Sequence, residues 1–150
     1  MSEYSELERI LEPFISDEHV QKMKKYIQHG TVTTYDHCYS VAKMAYRIGR
    51  AVPFSVDMES LVKGAMLHDF YLYDWHERGD GSHRLHGFRH AKRAAANAVF
   101  IFDADEKVYQ IIYCHMWPLN PFRFPRSREG LIVCAADKCV AFYETISMRR

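Results

Sequence analysis

The run Leu61-Val62-Lys63-Gly64-Ala65-Met66-Leu67-His68-Asp69 decides how the rest of the chain is read. Leu61, Gly64, Ala65 and His68 recur at the three- and four-residue spacing of one helix face. His68 therefore closes an apolar stripe, and the small residues before it would let a second helix approach closely. Three more polar residues sit the same way. His37 precedes Val41, Met44 and Ile48 at helical spacing, His115 follows Val108, Ile111 and Ile112, and Asp137 lies among Val133, Cys134, Val140 and Ala141. An unpaired carboxylate or a charged imidazole is costly to bury, and a single one reads as a satisfied core group. Inward histidines from three helices, with Asp69 and Asp137, are satisfied together by a divalent cation, which takes neutral imidazole and ionised carboxylate. A web of buried His–Asp pairs is the competing account.

Helical periodicity extends in both directions. Leu7, Ile10, Leu11 and Phe14 mark a first helix, with Pro13 near its end. Ser16-Asp17-Glu18 opens a second, running to 28–30 with Gly30 as its C-cap. Thr33 or Thr34 caps a third to about Arg50, and Ser55 or Asp57 starts a fourth to about Asp69. A loop over 70–85 follows, then helices over about 88–100, from Asp103 or Asp105 to about His115, and from about Ser127 to Met148. Pro118, Pro121 and Pro125 make 117–128 irregular. Strand patterns are scarce, so the expected fold is all-α, a bundle of about six to seven helices with a metal site between the core helices.

At 150 residues the chain is one domain's worth, with 1–30 as an N-terminal helical extension and 31–145 as the motif-bearing core. Twenty Lys and Arg against 19 Asp and Glu exclude a strongly cationic nucleic-acid arm and an acidic tail. Stable nucleic-acid binding is not expected. No apolar run approaches a membrane span of about 20 residues, and Met1-Ser2-Glu3-Tyr4 does not read as a signal peptide. Cys38, Cys114, Cys134 and Cys139 form no C-x-x-C pair, so free thiols and a cytoplasmic location are expected. The unusual count is nine histidines. No acid lies between Asp80 and Asp103 or between Glu106 and Glu129, while Arg84, Arg89, Lys92, Arg93, Lys107, Arg123, Arg126 and Arg128 do. These basic stretches read either as solvated faces or as a positive rim for an anionic substrate.

In order along the chain, His37, His68-Asp69, His86, His115 and Asp137 resemble the H…HD…H…H…D pattern of the HD-domain superfamily of metal-dependent phosphohydrolases. Tyr35-Asp36-His37 with Val41-Ala42, Ala65-Met66-Leu67-His68-Asp69, and His86-Gly87-Phe88-Arg89-His90-Ala91 are similar to the segments that carry its ligands. The resemblance implies a first metal held by His37, His68, Asp69 and Asp137, and a second held by His86 and His115 with Asp69 bridging. His90, one turn beyond His86, faces the same cavity or plays an outer role. Phe70-Tyr71 follows the dyad where relatives that cleave cyclic dinucleotides often carry Ile-Gly, which argues against that substrate.

Imidazole and carboxylate together suit iron or manganese first, with zinc, nickel, cobalt or magnesium as alternatives. The implied reaction is hydrolysis of a phosphomonoester or phosphodiester, in a nucleotide or small phosphorylated metabolite, by a metal-activated hydroxide. Lys138 and, for substrate binding, Arg89, His90, Arg123 and Arg126 are candidate cationic partners of phosphate. Asp74 is a candidate for proton transfer. A di-iron oxygenase with the same ligands, and a binding module without turnover, are the alternatives. His19, His29, His76 and His83 are expected to be peripheral, and the oligomeric state is open.

Overall fold

A computed structural model describes residues 3–72 and 86–148, apart from the side chains of 3 and 86–88. Seven α-helices carry the described chain: α1 (Glu3–Ile15), α2 (Glu18–Lys22), α3 (Thr34–Ala51), α4 (Met58–Leu67), α5 (His86–Phe102), α6 (Glu106–Tyr113) and α7 (Arg128–Ser147). Their starts follow from local chemistry. Thr33, Asp57, Asp105 and Ser127 occupy the N-cap positions of α3, α4, α6 and α7. Each side chain accepts a backbone N–H that the first turn leaves unpaired, from Asp36, Ser60, Val108 and Gly130 respectively.

The second helix departs from the sequence expectation. Asp17 caps α2 through the N–H groups of His19 and Val20, but the helix ends at Lys22 and passes through a 3-10 turn, Met23–Lys25. The chain then becomes extended and forms a hairpin of β1 (Ile27–His29) and β2 (Val32–Thr33), paired antiparallel. Gly30, expected as a helix C-cap, turns this hairpin with φ of +53°. Both uses need the left-handed region that glycine enters without strain, so the residue alone does not choose between them. The hairpin is tied at its base, where Thr34 N donates to Tyr26 O at 2.8 Å.

α4 is the central element. Leu61, Val62, Ala65, Met66 and Leu67 are all 1% exposed or less, so the helix is apolar on nearly every side. It packs against α1, α3, α6 and α7. Gly64 permits the approach of α6, because a Cβ there would overlap Ile111. The ends of α4 and α6 bring the ring centres of His68 and His115 within 4.8 Å of each other, and the polar residues of the sequence pattern on α3 and α7 gather there. No helix among the described residues is long and apolar enough to cross a membrane.

Candidate metal centre

Five elements deliver the site. His37 lies in the first turns of α3, His68 is the C-cap of α4 with Asp69 next to it, and His90 lies one turn into α5. His115 follows the end of α6, and Asp137 sits midway along α7. His37 and His68 are 0% exposed, His115 1%, Asp69 3% and His90 6%. The ends of α4 and α6 do two things at once. The Nδ1–H of His68 donates to Ala65 O, and that of His115 to Ile112 O, both at 2.7 Å. Carbonyls in a last helical turn lack intrahelical partners. Here they fix each imidazole so that Nε2 is the atom turned to the centre.

Asp69 divides the cluster in two. Its Oδ2 lies 3.3 Å from His68 Nε2 and 3.8 Å from His37 Nε2. Asp137 Oδ1 completes that side, accepting from His37 Nε2 at 2.9 Å and lying 3.3 Å from His68 Nε2. Asp69 Oδ1 instead lies 3.3 Å from both His90 Nε2 and His115 Nε2, which are 3.0 Å apart. Ligand-capable atoms of His37, His68 and Asp137, and separately of Asp69, His90 and His115, lie within 4.8 Å of one another.

Charge in the cluster is mutually sustained. Burial would raise the carboxyl of Asp69, but the charge of His68 and the imidazoles of His115 and His90 hold it well below the usual carboxylate range. Asp137 is likewise held low against burial, chiefly by His68 and His37. Burial would lower His37, but hydrogen bonds to Asp137 and Glu144 push it up to about 10. His115 is lowered by burial and by the charge of His68 and His90, and stays neutral.

These residues suit a divalent cation. His68 Nε2 and Asp69 Oδ1 are buried and have no hydrogen-bond partner among the described residues. Such orphaned atoms cost about 1–3 kcal/mol each unless something else meets them. Imidazole nitrogens with carboxylate oxygens, backed by Nδ1–H to carbonyl bonds, form the donor set and outer support that first-row divalent metals favour.

Other residues at the centre, beside its cavity of about 270 Å³, were not legible in the sequence. Glu144 accepts from His37 Nδ1 at 2.9 Å. It lies seven residues after Asp137, so a second acid on the same face of α7 was the available signal. Gln28 Nε2 donates to Asp69 Oδ2 at 2.9 Å, while its Oε1 accepts from Tyr71 OH at 3.0 Å and Thr34 Oγ1 at 3.3 Å. Those two donors fix which end of the amide faces Asp69. His29, expected at the periphery, is half-buried, stands edge-on to His37 with ring centres 5.7 Å apart, and lines the cavity. Both come from the hairpin, and reading 16–30 as one helix hid them.

Lys138 also lines the cavity; its Nζ donates to His115 O at 2.8 Å and lies 3.8 Å from Asp137 Oδ2. Arg89 is exposed on α5. Arg123 and Arg126 line a different cavity. Asp74, His76, His83 and the side chain of His86 lie outside the described residues. His19 pairs with Asp17 at the start of α2, Nδ1 to Oδ1 at 3.2 Å. Of the aromatic pair after the dyad, Phe70 packs on Phe102 in the core, and Tyr71 reaches the site through Gln28.

The family model described as the HD domain matches residues 34–141, more than two thirds of the chain. Comparison with curated proteins and with solved structures gives no match.

Proposed function

The chain belongs to the HD-domain family, and from that premise we propose that it is a metal-dependent phosphohydrolase acting on a nucleotide or other small phosphate ester. The observation that carries this reading is the division of Asp69, whose two oxygens face two separate sets of imidazoles. On this reading His37, His68, Asp69 and Asp137 hold one divalent ion. Asp69, His115 and His90 hold a second, with His86, one turn earlier on α5, as the further ligand its place in the motif suggests. Iron or manganese suits the donors best.

Ions bound there would polarise a phosphoryl oxygen and lower the pKa of a water toward neutrality. The chain's own groups do the rest. Asp137 and Glu144 accept from the two ring nitrogens of His37 and are placed to orient it and to take up its protons. Lys138 brings a positive charge to the cavity rim beside Asp137, where it would meet the equatorial oxygens of a phosphoryl group. Asp74, outside the described residues, remains the proposed proton carrier. Apolar Met116, Leu119 and Ala141 complete the cavity wall and limit water around the reacting group.

The test is to measure metal per chain in the protein as isolated, then assay phosphomonoesters, phosphodiesters and nucleotides with manganese or iron, with and without oxygen. Two ions per chain and oxygen-independent release of phosphate or of a cleaved ester are expected. Turnover that requires oxygen would replace this reading with a di-iron oxygenase. No turnover across the panel by metal-loaded protein would leave a binding module.

A further inference from the structure

A separate cavity of about 620 Å³ is basic. Its polar lining is Gln110, Asn120, Arg123 and Arg126, and no carboxylate among the described residues lines it. The charge follows from the sequence, since no acid lies between Glu106 and Glu129. The turn after α6 supplies Cys114 and Asn120 to this cavity and His115, Met116 and Leu119 to the metal-centre cavity. The two cavities therefore share a wall of backbone but no lining side chain.

Three features fit an anion that carries a ring. Arg123 sits over the ring of Tyr113, with Cζ 3.9 Å from the ring centre. A guanidinium held by such a cation–π contact still has N–H groups to give to paired oxygens, as phosphate offers. Asn120 is only 8% exposed, and its Oδ1 accepts from Phe122 N at 3.2 Å. Asn120 lines the cavity, and no hydrogen bond from its Nδ2 to a described residue competes for that donor. The rings of Phe122 and Phe124, 95% and 58% exposed, belong to the same lining. Side chains this apolar gain from a flat partner, and bases stack on them with little sequence preference. The volume lies within the range of small-ligand sites, ~300–1,000 Å³.

We propose that this cavity binds a nucleoside phosphate, with Arg123, Arg126 and Asn120 on the phosphate and Phe122 and Phe124 on the base, at a site distinct from the metal centre. The site stands whether or not the metal centre hydrolyses phosphate esters. The test is calorimetric titration of the full chain, as isolated, with AMP, adenosine and inorganic phosphate. AMP is expected to bind more tightly than either fragment. The double variant Arg123→Ala/Arg126→Ala is expected to weaken AMP at least tenfold with metal content unchanged, and Phe122→Ala to weaken AMP but not phosphate. Asp69→Asn is expected to keep AMP affinity within about twofold. Should that variant not fold, Lys138→Ala serves the same purpose, because its half-exposed side chain lines only the metal-centre cavity. Loss of AMP binding in the Asp69 or Lys138 variant with retention in the arginine variant would overturn the proposal. So would the absence of AMP binding, or phosphate binding as tight as AMP.

Discussion

Asp69 is 3% exposed and yet ionised, because the imidazoles around it replace the water it has lost. Each of its oxygens serves a different set of histidines, so removing the carboxylate damages both halves of the centre at once. Asp69→Ala should abolish metal retention and hydrolysis together, which elemental analysis and phosphate release would show on the same sample. Gln28→Leu should be milder. It removes the N–H that orients Asp69 Oδ2 and the amide oxygen that accepts from Tyr71 OH. Outer partners of ligands are worth about 10–100-fold in metal affinity, so a loss in that range is expected from competition with a chelator of known affinity. His37 sets a proton balance. Without a cation it is held protonated up to about pH 10 by Asp137 and Glu144, whereas a ligand imidazole must be neutral. Against burial, the charge of Asp69 raises His68 likewise, so metal uptake at neutral pH should release about two protons, and affinity should rise about a hundredfold per pH unit. Calorimetry in two buffers of different ionisation heat measures this; a heat indifferent to buffer would contradict it.

Among the elements, those with one cheap solution were legible. Thr33, Asp57 and Ser127 each precede an apolar-periodic run, and a capping side chain followed by such a run has few readings other than a helix start. The inward stripes of α3, α4, α6 and α7 were visible for the same reason. The hairpin was not, because Gly30 serves a helix end and a reverse turn equally well. The decision is made at long range, by Gln28 reaching Asp69 and Tyr71 across more than forty residues. Glu144 was hidden differently: its partner His37 lies 107 residues away in sequence. The close crossing of α4 and α6 was foreshadowed by small residues around Ala65, and it carries its own test. Gly64→Ala would push a methyl group into Ile111, and overpacking of this kind typically costs about 1–3 kcal/mol. A lowered unfolding midpoint in denaturant, with metal content per folded chain preserved, is the expected result.

For the whole molecule, the centre joins elements that the apolar core alone would join less firmly. His37, His68, His90, His115 and Asp137 come from five different helices or helix ends. A cation that binds the folded chain and not the unfolded one stabilises it by mass action, about 2.7 kcal/mol at a hundredfold excess over the dissociation constant. The melting temperature should rise when manganese or iron is added and fall when it is chelated. A melting temperature that ignores both would mean that the buried acids and imidazoles satisfy one another without help.

Met148, just past α7, closes over the hairpin turn so tightly that a Cβ on Gly30 would overlap its sulfur. One turn earlier, Glu144 holds His37. An affinity tag or fluorescent fusion joined after α7 would thus push on the hairpin that presents Gln28, and should lower metal loading. A label for handling this protein is better joined ahead of α1, whose buried face is Leu7, Ile10, Leu11 and Phe14 and reaches none of the ligands.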